Sequence, residues 1–391
     1  MKKALLLSLT LFIVGTSYPA DLPRKQIIIY VHGTLMSGVS LLNTTGLYRN
    51  DLEENDWTRK CLTNLRENPK IMNSQVALKM GLENIDQRSI NEYAHQTLSS
   101  NKSRVGAYQY FGLYSGLQQD NLDYKYYTFG WLGGLDKKGR ELAATELHQH
   151  IARLSEIYDH NCDFTLICHS HGGNVALNLV QEERINPLGV TVKNLLLFGA
   201  PIQFETACFA MDTFFETVYN FYSEYDTIQI ADKISMPSHK SFHTFVEALS
   251  LTTLKDAPNL IYDVQLSING DTKYINHEML GAFHQYKRPD TFLKRLSPFP
   301  LSVLTPKFLS LFKPIRDAKG YSSTSLSLVP NQNKISLELS TATGRFINTS
   351  LLDTPRIDTA HNYAKKSWTP YSVYQATKIA IAMREVIKFL S

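Results

Sequence analysis

Six short runs rich in β-branched and aromatic residues recur along the chain, at 26–31, 124–129, 163–168, 193–198, 217–222 and 261–268. The first, Gln26-Ile-Ile-Ile-Tyr-Val31, is continuously apolar rather than alternating, the pattern of a strand covered on both faces. Between runs, residues 137–158 place Leu142, Ala143, Leu147, Ile151, Leu154 and Ile157 at helical spacing, and about 172–184 reads as a second helix. Strands alternating with helices of this length predict an α/β fold on a doubly wound, mostly parallel sheet. At 391 residues, 43% apolar and 19% charged, the chain can bury a large core and lacks the composition of a disordered one.

Two stretches depart from the alternation. Residues 35–123 are far longer than an ordinary connection and are expected to form a functional insertion or lid within a main domain spanning 24–290. Beyond about 290 come Ser297-Pro-Phe-Pro300, an apolar segment at 301–312, a hairpin made of 325–329 and 335–339, and a closing helix opened by Thr369-Pro370. Residues 291–391 are therefore expected as a C-terminal α+β appendage packed on the core. The aromatic runs at 108–114 and 308–312 suit core packing, with peripheral contact to a lipid surface as the alternative.

Residues 1–20 combine Lys2 and Lys3, an apolar run and a small-residue exit, the layout of a secretory signal peptide. The expected destination is export to a periplasm or the medium, with an uncleaved anchor as the alternative. Removing that segment takes two lysines and no acid, so a formal charge of +4 falls to +2. So slight a balance implies no nucleic-acid partner. Cys61, Cys162, Cys168 and Cys208 match no zinc spacing and are too few for a disulfide framework, although one bridge is permitted in an exported chain.

The chemistry centres on Cys168-His169-Ser170-His171-Gly172-Gly173, placed between a strand and a helix. A nucleophile on such a corner takes a strained backbone conformation, and the residues two positions away must be small so that strand and helix can close on each other. Gly172 meets that need on one side and Cys168, small though not glycine, on the other. A tetrahedral oxyanion needs donors. The backbone N–H groups of His171 and of Thr34, in the loop Val31-His32-Gly33-Thr34, stand where they are required.

With these motifs the chain resembles the α/β-hydrolase superfamily, and within it the lipase-like and esterase-like serine hydrolases, over roughly residues 25–285. The resemblance implies a triad in the chain order Ser, acid, His. It carries the acid to Asp226, after the run 217–222, and the histidine to His277, after 261–268. Gly199-Ala200-Pro201 also matches the strand end that commonly follows the corner helix in such proteins. Cys168 in place of the usual glycine and the long insertion are departures from the pattern. Glu224 is a rival to Asp226, and His361 to His277. His284 is expected on the following helix and His239 and His243 in a surface loop, while His169 and His171 shape the corner.

The expected activity is hydrolysis of a small-molecule or lipid carboxylic ester through an acyl-enzyme, with no cofactor and no metal. Alternatives are an amidase or thioesterase using the same triad, and a non-catalytic binding protein on the same fold.

Overall fold

The computed structural model describes residues 24–33, 78–93, 105–118, 120–134, 136–226, 229, 241–275, 277, 280, 300–315, 320–331, 334–342 and 344–353. Each of the six sequence runs forms a strand: β1 (Lys25–Val31), β3 (Tyr124–Gly130), β4 (Cys162–His169), β5 (Val192–Phe198), β7 (Phe215–Tyr222) and β9 (Leu260–Ile268). A further edge strand, β2 (Gly81–Ile85), precedes β3, and β10 (Gly320–Asn331), β11 (Lys334–Thr341) and β12 (Gly344–Asp353) follow β9. Together they make one ten-stranded sheet in the order β12-β11-β10-β9-β7-β5-β4-β1-β3-β2. The block from β10 to β3 is parallel, and β2, β11 and β12 join antiparallel. Two short strands, β6 (Ile202–Gln203) and β8 (Ser241–Phe242), pair separately. The fold is α/β and mostly parallel, as the sequence runs imply.

Both faces of the sheet are covered, which is why β1 is apolar at consecutive positions: Ile27, Ile29 and Val31 enter one core cluster while Ile28 and Tyr30 enter the other. Helix α1 (Gln87–Tyr93) and helix α2 (Val105–Leu117) precede β3, and α3 (Lys137–Ile157) follows it, its N-terminus capped by Asp136. The stripe that α3 buries includes Ala143, Ala144, Leu147, Ile151 and Leu154. Leu142 and Ile157, expected on that stripe, are exposed, and Arg140 is buried instead, donating to Gln203 Oε1 at 3.1 Å.

The helix expected over 172–184 is two helices, α4 (Gly172–Leu177) and α5 (Leu179–Ile185), divided at Asn178. The Asn178 side chain donates to the carbonyl of Asn174 four residues back at 2.8 Å, a competing bond that disfavours regular helix at that point. Short helices α6 (Phe204–Ala207), α7 (Phe245–Ala248) and α8 (Leu251–Lys255) lie further along, and α9 (Thr305–Phe312) follows a 3-10 turn at Leu301–Leu304.

The described parts of the insertion and the tail differ most from the expectation. Residues 78–117, expected within a lid, supply the edge strand β2 and the helix α2. Tyr110, Phe111 and Tyr114 of α2 are almost wholly buried, with Tyr110 packed 5.3 Å from Tyr30 and Phe111 5.0 Å from Tyr126 between ring centres. Phe308 and Phe312 of α9 are likewise fully buried, against Phe221 and Tyr219. These aromatic side chains are thus spent on the core and are withdrawn from any lipid surface. The C-terminal hairpin does not pack on the core as an appendage. It extends the sheet, because β10 pairs in parallel with β9 over Gly320↔Leu260 to Leu328↔Ile268, and a third strand, β12, completes the edge. The segment 1–20 and the closing helix after Thr369 lie outside the described residues, and no helix among the described residues is long and apolar enough to cross a membrane.

One buried charge sits inside this scaffold. Asp263 of β9 is fully buried and accepts from Asn220 Nδ2 at 2.7 Å and from the backbone N–H groups of Phe245 and Val246 at 2.9 and 3.3 Å. Desolvation outweighs these bonds and pushes its carboxyl from 3.8 up to about 6. The folded protein therefore holds this proton more tightly than the unfolded chain, and stability falls as pH rises through the interval from about 4 to 6. Two units correspond to about 3 kcal/mol. In urea titrations, Asp263→Asn is expected to lack this part of the decline between pH 4 and pH 7. Phe111→Ala is expected to cost roughly 3–5 kcal/mol in the same assay, whereas a side chain on a detachable lid would cost almost nothing.

Candidate active site

The carboxyl ends of parallel strands share one edge of the sheet, so residues just after β1, β4, β5, β7 and β9 are brought to one place. The chain reverses its winding between β1 and β4, with β3 on one side and β5 on the other, and a switch of this kind opens a crevice at that edge. His32 and Gly33 follow β1, Ser170 follows β4, Gly199 follows β5, Asp226 follows β7 and His277 follows β9.

Ser170 has φ of 53°, in the left-handed region that non-glycine residues rarely occupy and that costs of order 1–3 kcal/mol. The surrounding backbone enforces it: Ser170 N–H donates to Phe198 O at 3.0 Å and Gly173 N–H donates to Ser170 O at 2.9 Å. The loop after β1 closes against this corner. A Cβ on Gly172 would stand 2.5 Å from His32 O, and one on Gly33 would stand 2.6 Å from Ser170 Cβ, so the two backbones meet only because both positions are glycine. Cys168 is fully buried, and burial pushes its thiol well above the usual range, which makes it an inert filler. Among the described residues Cys162, Cys168 and Cys208 are unbridged.

Asp226 is fully buried and His277 nearly so. Asp226 Oδ2 lies 2.8 Å from His277 Nδ1, and Oδ1 accepts from Gln229 N–H at 3.1 Å, so both carboxylate oxygens have donors. Gly199, with φ of 60°, backs onto the pair: a Cβ there would fall 3.0 Å from Asp226 Oδ2 and 3.2 Å from His277 Nδ1. His169 joins the pair to the corner. Its Nε2–H donates to His277 O at 3.2 Å, and the two rings stand 4.7 Å apart. Ser223 Oγ holds the same loop through the carbonyls of Ile275 at 2.7 Å and Thr272 at 3.2 Å.

The structure therefore gathers Ser170, Asp226 and His277 at one edge. Ser170 is buried rather than standing clear above the strand, and among the described residues its hydroxyl makes no hydrogen bond, to His277 or to any other group. His171 takes the N-cap position of α4, with Asn174 Nδ2 at 3.4 Å from its Nδ1. Thr34 lies outside the described residues, as do His239, His284 and His361. Glu224 is exposed, and His243, expected at the surface, is half-buried with its ring stacked on Tyr222.

Sequence patterns gave no functional weight to the lock between His32 and Trp131. Trp131 N–H donates to His32 Nε2 at 3.1 Å and Trp131 Nε1–H to His32 O at 2.7 Å. With Nε2 accepting, Nδ1 carries the proton and donates to Gly33 O, pinning the backbone that leads into Thr34. The pair Gly130-Trp131 at a strand end was the available signal. Gln229 and Ser223 carried none: Gln229 serves Asp226 through a backbone N–H that almost any residue supplies, and the carbonyls their side chains hold, Ala200 O for Gln229 and Ile275 O for Ser223, are 29 and 52 residues away.

Compared with known proteins, the chain matches no family model and no curated protein. The site is therefore read from its own geometry. Gly172→Ala, by pushing a methyl group into the His32 carbonyl, is expected to lower stability in urea by about 1–3 kcal/mol.

Proposed function

We propose that this protein is a serine hydrolase of the α/β-hydrolase type that cleaves carboxylic esters, of lipids or other acyl compounds. The observation that carries this reading is the fully buried Asp226 carboxylate at 2.8 Å from His277 Nδ1, set at the sheet edge that also holds Ser170 at φ of 53°. A carboxylate in that position keeps Nδ1 protonated, leaves Nε2 with its lone pair and stabilises the imidazolium that forms later.

In this mechanism His277 Nε2 takes the hydroxyl proton as Ser170 Oγ attacks the ester carbonyl. The tetrahedral oxyanion is met by the backbone N–H groups of His171 and Thr34. Collapse breaks the bond to the alcohol, which leaves with the proton from His277 and yields an acyl-Ser170 ester. Water then repeats the sequence, His277 accepting its proton and returning it to Ser170 as the acid departs. Every proton is carried by this chain's own residues. The signal-like segment 1–20 would place the reaction outside the cytoplasm.

Incubating the full chain with a fluorophosphonate probe, followed by mass mapping, is expected to give one adduct on Ser170 that is absent from Ser170→Ala. In parallel, turnover of p-nitrophenyl esters is expected to fall on the order of 10³–10⁴-fold in Asp226→Asn. A folded wild-type protein that neither labels nor turns over any ester of the series would end the hydrolase reading in favour of a binding protein.

A further inference from the structure

One imidazole lies between the three parts of the candidate site that the proposed chemistry must hold together. His169 ends β4 and directly precedes Ser170, and its side chain is buried. Its Nε2 lies 3.2 Å from the backbone carbonyl of His277, and the two rings stand 4.7 Å apart at an interplanar angle of 43°. A carbonyl oxygen only accepts, so Nε2 carries the proton in this bond. The other ring nitrogen faces the loop after β1, since a Cβ on Gly33 would fall 3.3 Å from His169 Nδ1.

Asp226 fixes His277 through one bond, from ring Nδ1 to Oδ2. A single bond of that kind sets a distance, but it lets the ring pivot and lets the backbone of its loop drift. Ser223 holds that loop further back, at the carbonyls of Thr272 and Ile275. His169 restrains the base itself, because it bonds the His277 carbonyl and lies against the His277 ring. The residue type suits the task. In the proposed mechanism His277 becomes a cation, and an imidazole donates a bond without charge where lysine or arginine would set a second cation beside it.

We infer that His169 is the positioning residue that sets the separation between the nucleophile Ser170 and the base His277. It is joined to Ser170 by one peptide bond and to His277, 108 residues further along the chain, by one hydrogen bond. Nucleophile and base thus take their places from one rigid ring. The inference rests on the hydrolase reading and adds to it a residue that acts through His277 and touches neither ester nor water.

Such a device is needed here. Among the described residues the Ser170 hydroxyl makes no bond to His277, so no direct contact sets their separation and the scaffold must. Proton transfer requires His277 Nε2 within hydrogen-bond reach of Ser170 Oγ as attack begins. A misplacement of about 1 Å costs on the order of 10²-fold in rate. Without the donor on His169, the His277 carbonyl also loses its buried partner, and the loop is free to relax away from the corner.

Turnover of a p-nitrophenyl ester by the full chain, with kcat and KM measured separately, tests this in three variants. His169→Phe keeps a ring and removes the donor. His169→Gln places an amide N–H at the reach of Nε2 without the ring, and His169→Asn carries the same amide one carbon short. His169→Phe and His169→Asn are expected to lower kcat on the order of 10²-fold at unchanged KM, and His169→Gln to restore most of it. In the proton magnetic resonance spectrum, the low-field Nδ1–H signal of His277, identified by its loss in His277→Gln, is expected to stay sharp in wild type and His169→Gln and to broaden in the other two. If either His169→Phe or His169→Asn fails to fold, the other carries the comparison. Unchanged kcat in both, beside an active wild type, would overturn this role and leave the hydrolase standing. Equal loss in all three variants with a lowered urea midpoint would overturn it too, since that marks packing alone. A folded wild type that turns over no ester ends the hydrolase reading and this role together.

Discussion

Two backbones meet at the limit of van der Waals contact where β4 turns into α4. On one side is the corner at Ser170, on the other the His32-Gly33 segment leaving β1, and neither tolerates a Cβ at the point of contact. This contact fixes how β1 and β4 end relative to each other and forces Ser170 into a left-handed conformation. Parallel pairing then carries the geometry outward, since each strand added beside β4 delivers its own carboxyl end to the same edge. Phe198 O receives Ser170 N–H, and Gly199, one residue on, leaves room for Asp226 and His277. Backbone hydrogen bonds carry the corner to β5 and β7, and side-chain bonds from Asp226, His169 and Ser223 then hold the His277 loop.

Asp226 and Asp263 are both fully buried and lie on or just after neighbouring strands, yet their surroundings differ. Asp226 faces an imidazole that can carry positive charge, with a backbone N–H on its other oxygen. Asp263 faces only neutral donors, and desolvation raises its pKa. The neutral set suits a structural tie: Asp263 fastens the start of α7 to the sheet from a position that no ligand needs to reach. Under the proposed function the imidazole partner suits chemistry, because a fixed carboxylate orients the ring and stabilises its protonated form. Two residues of one type thus differ in what lies within about 3 Å of them.

Much of this was legible in the sequence, and the parts that were not share a cause. The six strands and the candidate residues Ser170, Asp226 and His277 could be placed because period, turn chemistry and chain order are local or ordered signals. The part of the insertion that forms α2 was not legible, because α2 is aromatic on most sides, a composition that suits a surface lid and a buried helix equally. Its neighbours Tyr30 and Tyr126, which decide the matter, are up to about 80 residues away in sequence. The hairpin at 320–341 was visible as a hairpin, but whether it packs on a sheet or joins it depends on the unsatisfied edge of β9, which no residue of the hairpin reports.

The sequence by itself determined the alternation of strands and helices, the sharp corner at Ser170 and the polar and apolar faces of the last strands. These follow from φ/ψ sterics and from the burial of side chains at fixed period. Tertiary structure alone decided which carbonyl His169 holds, which tautomer His32 adopts, and that β10 joins the edge of β9. Each of those depends on groups far apart in the chain meeting within hydrogen-bonding distance, and only the closed sheet, through its strand order and register, brings them there.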